Sequence, residues 1–145
     1  DAVAIGLGDE FRAFADTLLE DVDRGREIAS LFLEINLGGT AVGSGLGATQ
    51  AYRDSVVSEL SAVTGLQLVR ARNLYEASWD MGAFVLYSGF LKRLAAKLSK
   101  ICNDLRLLAS GPRGGMGEIR LPGRQAGSSL MPGKVNPVIP EAVNQ

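Results

Sequence analysis

One apolar repeat constrains this chain more than any other feature. Ala77, Met81, Phe84, Ser88, Leu91, Ala95, Leu98, Cys102 and Leu105 alternate by four and three residues without a break. That spacing is the seam of a long helix that packs along other helices. Asn73 is placed to cap its start, and Ser110-Gly111-Pro112 to stop it. A helix over Leu74–Ala109 would be about 54 Å long at 1.5 Å per residue, so it needs neighbours of similar length. Gly82 and Gly89 would let such a neighbour approach closely, at a cost of about 1 kcal/mol each against alanine.

Two further helices follow from the same reasoning. Over residues 9–37, Phe11, Phe14, Leu18, Gly25, Ile28, Phe32 and Ile35 recur at three- and four-residue steps, interrupted at Asp21 beside Val22. Asp9 and Glu10 suit the positive end of that helix. Over Gln50–Thr64, Tyr52, Val56, Leu60 and Val63 share a face, and Gly65 is placed as a C-cap. No strand is expected, apart from a brief extension at Ile119–Leu121. The expected fold is therefore all-α, with long antiparallel helices. Residues 1–109 belong to a helical bundle, residues 110–140 form an irregular segment, and residues 141–145 start another helix.

Composition removes several classes of protein. With 46% hydrophobic and 21% charged residues, the chain is not globally disordered. Its longest apolar-looking run, the 11 residues Met81–Leu91, falls short of the roughly 20 that a membrane span requires. Cys102 is the single cysteine, so no disulfide forms within the chain, and there is no histidine. A Cys/His zinc site and a Ser-His-Asp triad are both excluded within these residues. A lone thiol and no signal-like segment suggest a cytoplasmic setting.

Charge is unevenly placed. Residues 1–91 hold 6 basic and 13 acidic side chains, whereas residues 92–134 hold 9 basic and 2 acidic. The cationic stretch calls for an anionic partner. No Phe, Tyr or Trp follows Phe90, so nucleic acid is not expected, because bases usually stack on aromatic platforms. A small carboxylate remains. Lys92, Arg93, Lys97 and Lys100 read as the solvated face of the long helix.

Two glycine-rich segments invite a functional reading. Gly38 to Gly47 follows a helix rather than a strand and lacks the Gly-Lys-Ser/Thr ending of a nucleotide loop. It reads as a close-packed break between helices whose backbone is available to line a site. Residues 110–140 hold all five prolines and seven of the 18 glycines, and irregular segments of that length are often lids or binding loops. Within them, Gly127-Ser128-Ser129-Leu130-Met131-Pro132-Gly133-Lys134-Val135-Asn136-Pro137 presents two hydroxyls, an ammonium and a carboxamide. Lys134 and Asn136 suit a carboxylate. Ser128 or Ser129 would exchange a proton if positive charge and backbone N–H groups lowered its pKa.

Residues 127–137 match the loop G-S-S-x-M-P-x-K-x-N throughout, and so resemble the fumarase/aspartase superfamily. Lys100 to Arg113 and Leu37 to Gly43 are similar to two other stretches of that family, and the likeness extends over nearly the whole chain. Gln125-Ala126-Gly127 and Val138 to Gln145 look like aspartate ammonia-lyases rather than fumarases. The family usually has Thr-Gly-Leu/Ile-Asn after Gly43, where this chain has Ser44-Gly45-Leu46-Gly47. The resemblance implies a reversible deamination of L-aspartate to fumarate and ammonia, with no organic cofactor and no metal. It implies Ser128 as the base and Glu141 as the acidic partner of a histidine. It places Ser129 with loop N–H groups on the β-carboxylate, and Lys134 and Asn136 on the α-carboxylate. It also implies a homotetramer whose sites each draw on three subunits. The family's Thr-His pair would lie just ahead of Asp1. These 145 residues would then hold one site-forming region and be inactive alone. A fumarase-type hydratase and a non-catalytic helical assembly module are the alternatives.

Overall fold

A computed structural model describes residues 3–111 and 113–145. Pro112, part of the expected helix stop, lies outside them. The described residues form α1 (Leu7–Leu31), β1 (Glu34–Ile35), α2 (Gln50–Thr64), β2 (Val69–Arg70), a 3₁₀ turn at Glu76–Ser78, α3 (Gly82–Leu108) and α4 (Val138–Asn144). The fold is all-α, as the seam requires. The chain divides into two compact units, one of residues up to Leu19 with Leu91–Gln145, the other of Glu20–Phe90.

In the first unit the helices run antiparallel. Lys97 Nζ donates to the Thr17 carbonyl at 2.8 Å. Lys100 pairs with Asp104 and with Glu10, and its ammonium stands 5.0 Å above the Phe14 ring. The Asp104 hydrogen bond, helped by the charges of Asp104 and Glu10, holds the Lys100 pKa above its usual value against the opposing effect of burial. Lys97, half-buried, is thus a tether between helices and departs from the expected solvated face, whereas Lys100 keeps its exposure while pairing across to Glu10. Their long stems cover apolar surface while their charges find partners. Phe14 and Cys102 are buried.

In the second unit, Phe32 meets Phe84 and Tyr87 edge-on, with ring centroids 5.2 and 5.9 Å apart, a favoured aromatic geometry. A Cβ on Gly25 would lie 3.3 Å from the Phe90 ring, so this glycine allows the close approach. Gly89 has nothing within 4 Å of its Cβ position, and Gly82 meets only Asp80. The close approach expected at those two positions does not occur among the described residues.

The long helices are shorter than their apolar periods suggest. α1 ends at Leu31, because the chain turns into a parallel two-strand pair. Val69 N–H donates to the Leu33 carbonyl at 2.8 Å and Ala71 N–H to the Ile35 carbonyl at 2.9 Å. Asp21 does not break the apolar stripe but lies buried in it, 2% exposed. Asn73 caps as expected, its Oδ1 accepting from Tyr75 and Glu76 N–H, yet it caps only the 3₁₀ turn. Asp80 Oδ1 then accepts from Gly82 N–H at the start of α3. α2 has the expected bounds, with Thr49 Oγ1 accepting from Tyr52 N–H and Gly65 in the left-handed region at its end. α4 begins at Val138, three residues ahead of Glu141.

The seam is only partly covered. Cys102 is buried, while Met81, Phe84 and Leu91 are 58%, 55% and 45% exposed. The hydrophobic side chains buried best in the second unit, Ala71 and Leu74, lie beside the glycine-rich break. There Gly43 has φ +95°, and a Cβ on it would overlap the Leu74 carbonyl and the Tyr75 nitrogen. Gly43→Ala should therefore destabilise the protein by about 1–3 kcal/mol, the usual cost of overpacking, with left-handed strain added. Denaturant unfolding checks this, and an unchanged midpoint would contradict the packing described.

Candidate active site

Residues 127–137 fold back on themselves as a loop with a narrow neck. Asn136 Nδ2 donates to the Gly127 carbonyl at 3.1 Å. A Cβ on Gly127 would overlap the Lys134 carbonyl, so only glycine lets the two arms lie this close. At the far end Lys134 N–H donates to the Met131 carbonyl at 3.2 Å, and Gly133 turns the chain at φ +79°. Leu130 and Met131 are exposed. The loop is therefore held at its neck by polar groups and not by an apolar anchor.

Within the loop the hydroxyl of Ser128 is specifically placed. Its Oγ accepts from the N–H groups of Leu130 and Met131, both at 3.1 Å. A serine that bonds the backbone two and three residues on is a common local turn. The same arrangement directs two fixed dipoles at one oxygen, and donors aimed at an oxygen favour its anionic form. Sequence reasoning anticipated N–H groups near Ser128 without identifying them, and assigned the loop N–H groups to a substrate carboxylate. Those of Leu130 and Met131 are occupied by Ser128. Ser129 and Lys134 are exposed, and Lys134 forms no ion pair among the described residues.

Asn136 is tied into the neck through one N–H and keeps a second donor and its Oδ1. Pro137 follows, and its carbonyl accepts from Glu141 N–H at 3.0 Å. Glu141 therefore sits in the first turn of α4, half-buried. α4 is fixed to α3 by Asn144 Nδ2, which donates to Asn103 Oδ1 at 2.9 Å. Asn136 and Glu141 are thus carried on one stretch of backbone, with Ser128 across the neck. Among the described residues no group of three or more His, Cys, Asp or Glu side chains could hold a metal ion, and no helix is long and apolar enough to cross a membrane.

A profile of a lyase family matches residues 1–145. The chain belongs to this lyase family. It is 64% identical over 146 residues to an aspartate ammonia-lyase of Pseudomonas aeruginosa, covering all of this chain and 31% of that protein. It is 57% identical over 145 residues to the aspartate ammonia-lyase of Escherichia coli K12, covering all of this chain and 30% of the other. Among solved structures, a fumarate lyase:delta crystallin of Brucella melitensis bound to cobalt superimposes with a TM-score of 0.95 at 63% identity, over 99% of this chain and 31% of that one. A class II fumarase of Schistosoma mansoni superimposes with a TM-score of 0.89 at 31% identity, over 95% and 32%. The chain thus spans 28–31% of the length of the aspartate ammonia-lyases it matches.

Membership of the lyase family makes the glycine break easier to interpret. Gly47 stands where the family usually has asparagine, and its φ is +82°. Asparagine and glycine are the residues that enter the left-handed region most readily. The left-handed conformation at Gly47 is thus one that either residue adopts.

Proposed function

We propose that the full protein carrying these residues deaminates L-aspartate reversibly to fumarate and ammonia, with Ser128 as the base. The observation that supports this most is the Ser128 oxygen facing two backbone N–H groups within a loop that matches the lyase family. The chemistry demands such a device. The proton to be removed lies on the carbon next to the β-carboxylate, and its loss leaves an enediolate on that carboxylate. Serine is a poor base at neutral pH, so its alkoxide must be stabilised before it acts. Fixed N–H donors do this without reorganising during the reaction. The Ser128 alkoxide takes the proton, the electron pair forms the new double bond, and ammonia leaves from the α-carbon.

The remaining residues take binding roles in this reading. The Ser129 hydroxyl holds the β-carboxylate. Lys134 and the free N–H of Asn136 hold the α-carboxylate, the ammonium by charge and the carboxamide by direction. Glu141, in the first turn of α4, orients a histidine supplied from outside residues 1–145. The basic balance of residues 92–134 favours approach of a dicarboxylate. The uncovered seam at Met81, Phe84 and Leu91 supports association of helices, and we read the working enzyme as a cytoplasmic homotetramer.

Aspartate is favoured over malate because identity is 57–64% to aspartate ammonia-lyases and 31% to the fumarase. The test is fumarate release, measured with the full-length protein on both substrates. Fumarate from aspartate alone is expected. Faster release from malate would make the protein a fumarase-type hydratase. The isolated 145 residues should release none from aspartate, because the loop lacks its partner segments. Measurable deamination by that piece would overturn this division of the site.

A further inference from the structure

Residues 20–90 contain a second cluster of charges that the loop chemistry does not use. The acidic first part of the sequence holds six basic residues, all arginine. Three are neutralised along α1: Arg12 by Asp9, Arg24 by Glu27 and Arg26 by Asp23. The other three, Arg53, Arg70 and Arg72, form no ion pair among the described residues. All three line one open pocket of about 670 Å³ with Asn73 and Tyr75, and no carboxylate lines it.

The pocket is built, not incidental. Gly43 of the glycine-rich break lines it. The guanidinium of Arg53 lies so close over Gly45 that a Cβ there would overlap its Cζ. Arg53 Nε is buried with no hydrogen-bond partner. Arg70 Nη1 donates to the Arg53 carbonyl at 3.3 Å, which fixes the two arginines relative to each other. Asn73 has its oxygen committed to Tyr75 and Glu76 N–H, so it has only N–H to offer. Every polar side chain here except the Tyr75 hydroxyl is a donor. Gathering three like charges is unfavourable unless something offsets them, and a buried N–H without a partner calls for an explanation.

We propose that this pocket binds a small, multiply charged oxyanion of the phosphate or polycarboxylate class. Planar guanidinium forks pair in bidentate fashion with both kinds of group. Three guanidiniums without a carboxylate require more than one negative charge. A nucleic acid is disfavoured, because residues 20–90 of the same unit carry 9 acidic and 5 basic side chains, an excess of acid that would repel an extended polyanion. None of the lining residues belongs to the Ser128 loop, and the proposal stands whether or not that loop is catalytic.

Calorimetric titration of the full-length protein tests this, with inorganic phosphate in one arm and tricarballylate in the other. A Ser128→Ala/Lys134→Ala background removes the one positive charge of the loop and so weakens anion binding there. Saturable binding in either arm is expected, and the arm that binds names the class. Arg72 is exposed, so Arg72→Ala should fold and weaken binding by about tenfold or more, the usual scale for a hydrogen bond to a charged group. Arg72→Lys should weaken it less. No binding in either arm, or binding unchanged by Arg72→Ala, would overturn the proposal.

Discussion

Ser128→Ala in the full-length protein should lower kcat for aspartate by roughly 10²–10⁴-fold, the range seen when a general base is lost. KM should change little, because the hydroxyl acts mainly in the transition state, whereas the carboxylate clamps act on the bound substrate as well. The structure explains why so small a deletion is costly. Leu130 and Met131 N–H groups converge on Ser128 Oγ, and no other side-chain oxygen in the loop receives two such bonds among those observed. Ser129, next in sequence, has neither. If Ser128→Ala kept its turnover, the base would have to be Ser129 or a group outside residues 1–145, and the paired N–H groups would be an ordinary turn. Stability should barely move, because the hydroxyl is bonded only within an exposed loop.

What was legible in the sequence was mostly what is local. α2 and its Gly65 cap follow from residues within a few positions of each other, and the structure has them at the expected places. The end of α1 was not legible. Its apolar period runs on to Ile35, but Leu33 and Ile35 give their carbonyls to Val69 and Ala71. A two-residue strand pair leaves no period to detect. The start of α3 was misplaced for a related reason. Asn73 is a genuine cap, yet only one 3₁₀ turn follows it before Asp80 caps again. The loop motif was legible as chemistry, whereas its geometry was not, since no residue pattern specifies that the Met131 N–H faces Ser128. The arginine pocket was hidden by separation, with Arg53 and Arg70 17 residues apart. The available signal was the pairing of Arg12, Arg24 and Arg26 with acids three residues away, a feature that Arg53, Arg70 and Arg72 lack.

Gly127→Ala tests the geometry instead of the chemistry, and its effect should approach that of losing the base. Alanine removes no functional group, but its Cβ would overlap the Lys134 carbonyl. This contact is with backbone, so no side chain can rotate away to relieve it. The neck must open, which breaks the Asn136–Gly127 hydrogen bond and moves Lys134 and Asn136 away from Ser128. A misplacement of about 1 Å among positioned groups can cost 10²-fold in rate, so turnover should fall by about that factor or more. KM for aspartate should rise as well, because both groups read as the α-carboxylate clamp are displaced, and this separates the variant from Ser128→Ala. Global stability should change by less than about 1 kcal/mol, as surface substitutions away from a core usually do, because opening an exposed loop uncovers no core. Full activity with alanine at 127 would show that the neck opens during turnover and that its closed form is a resting arrangement.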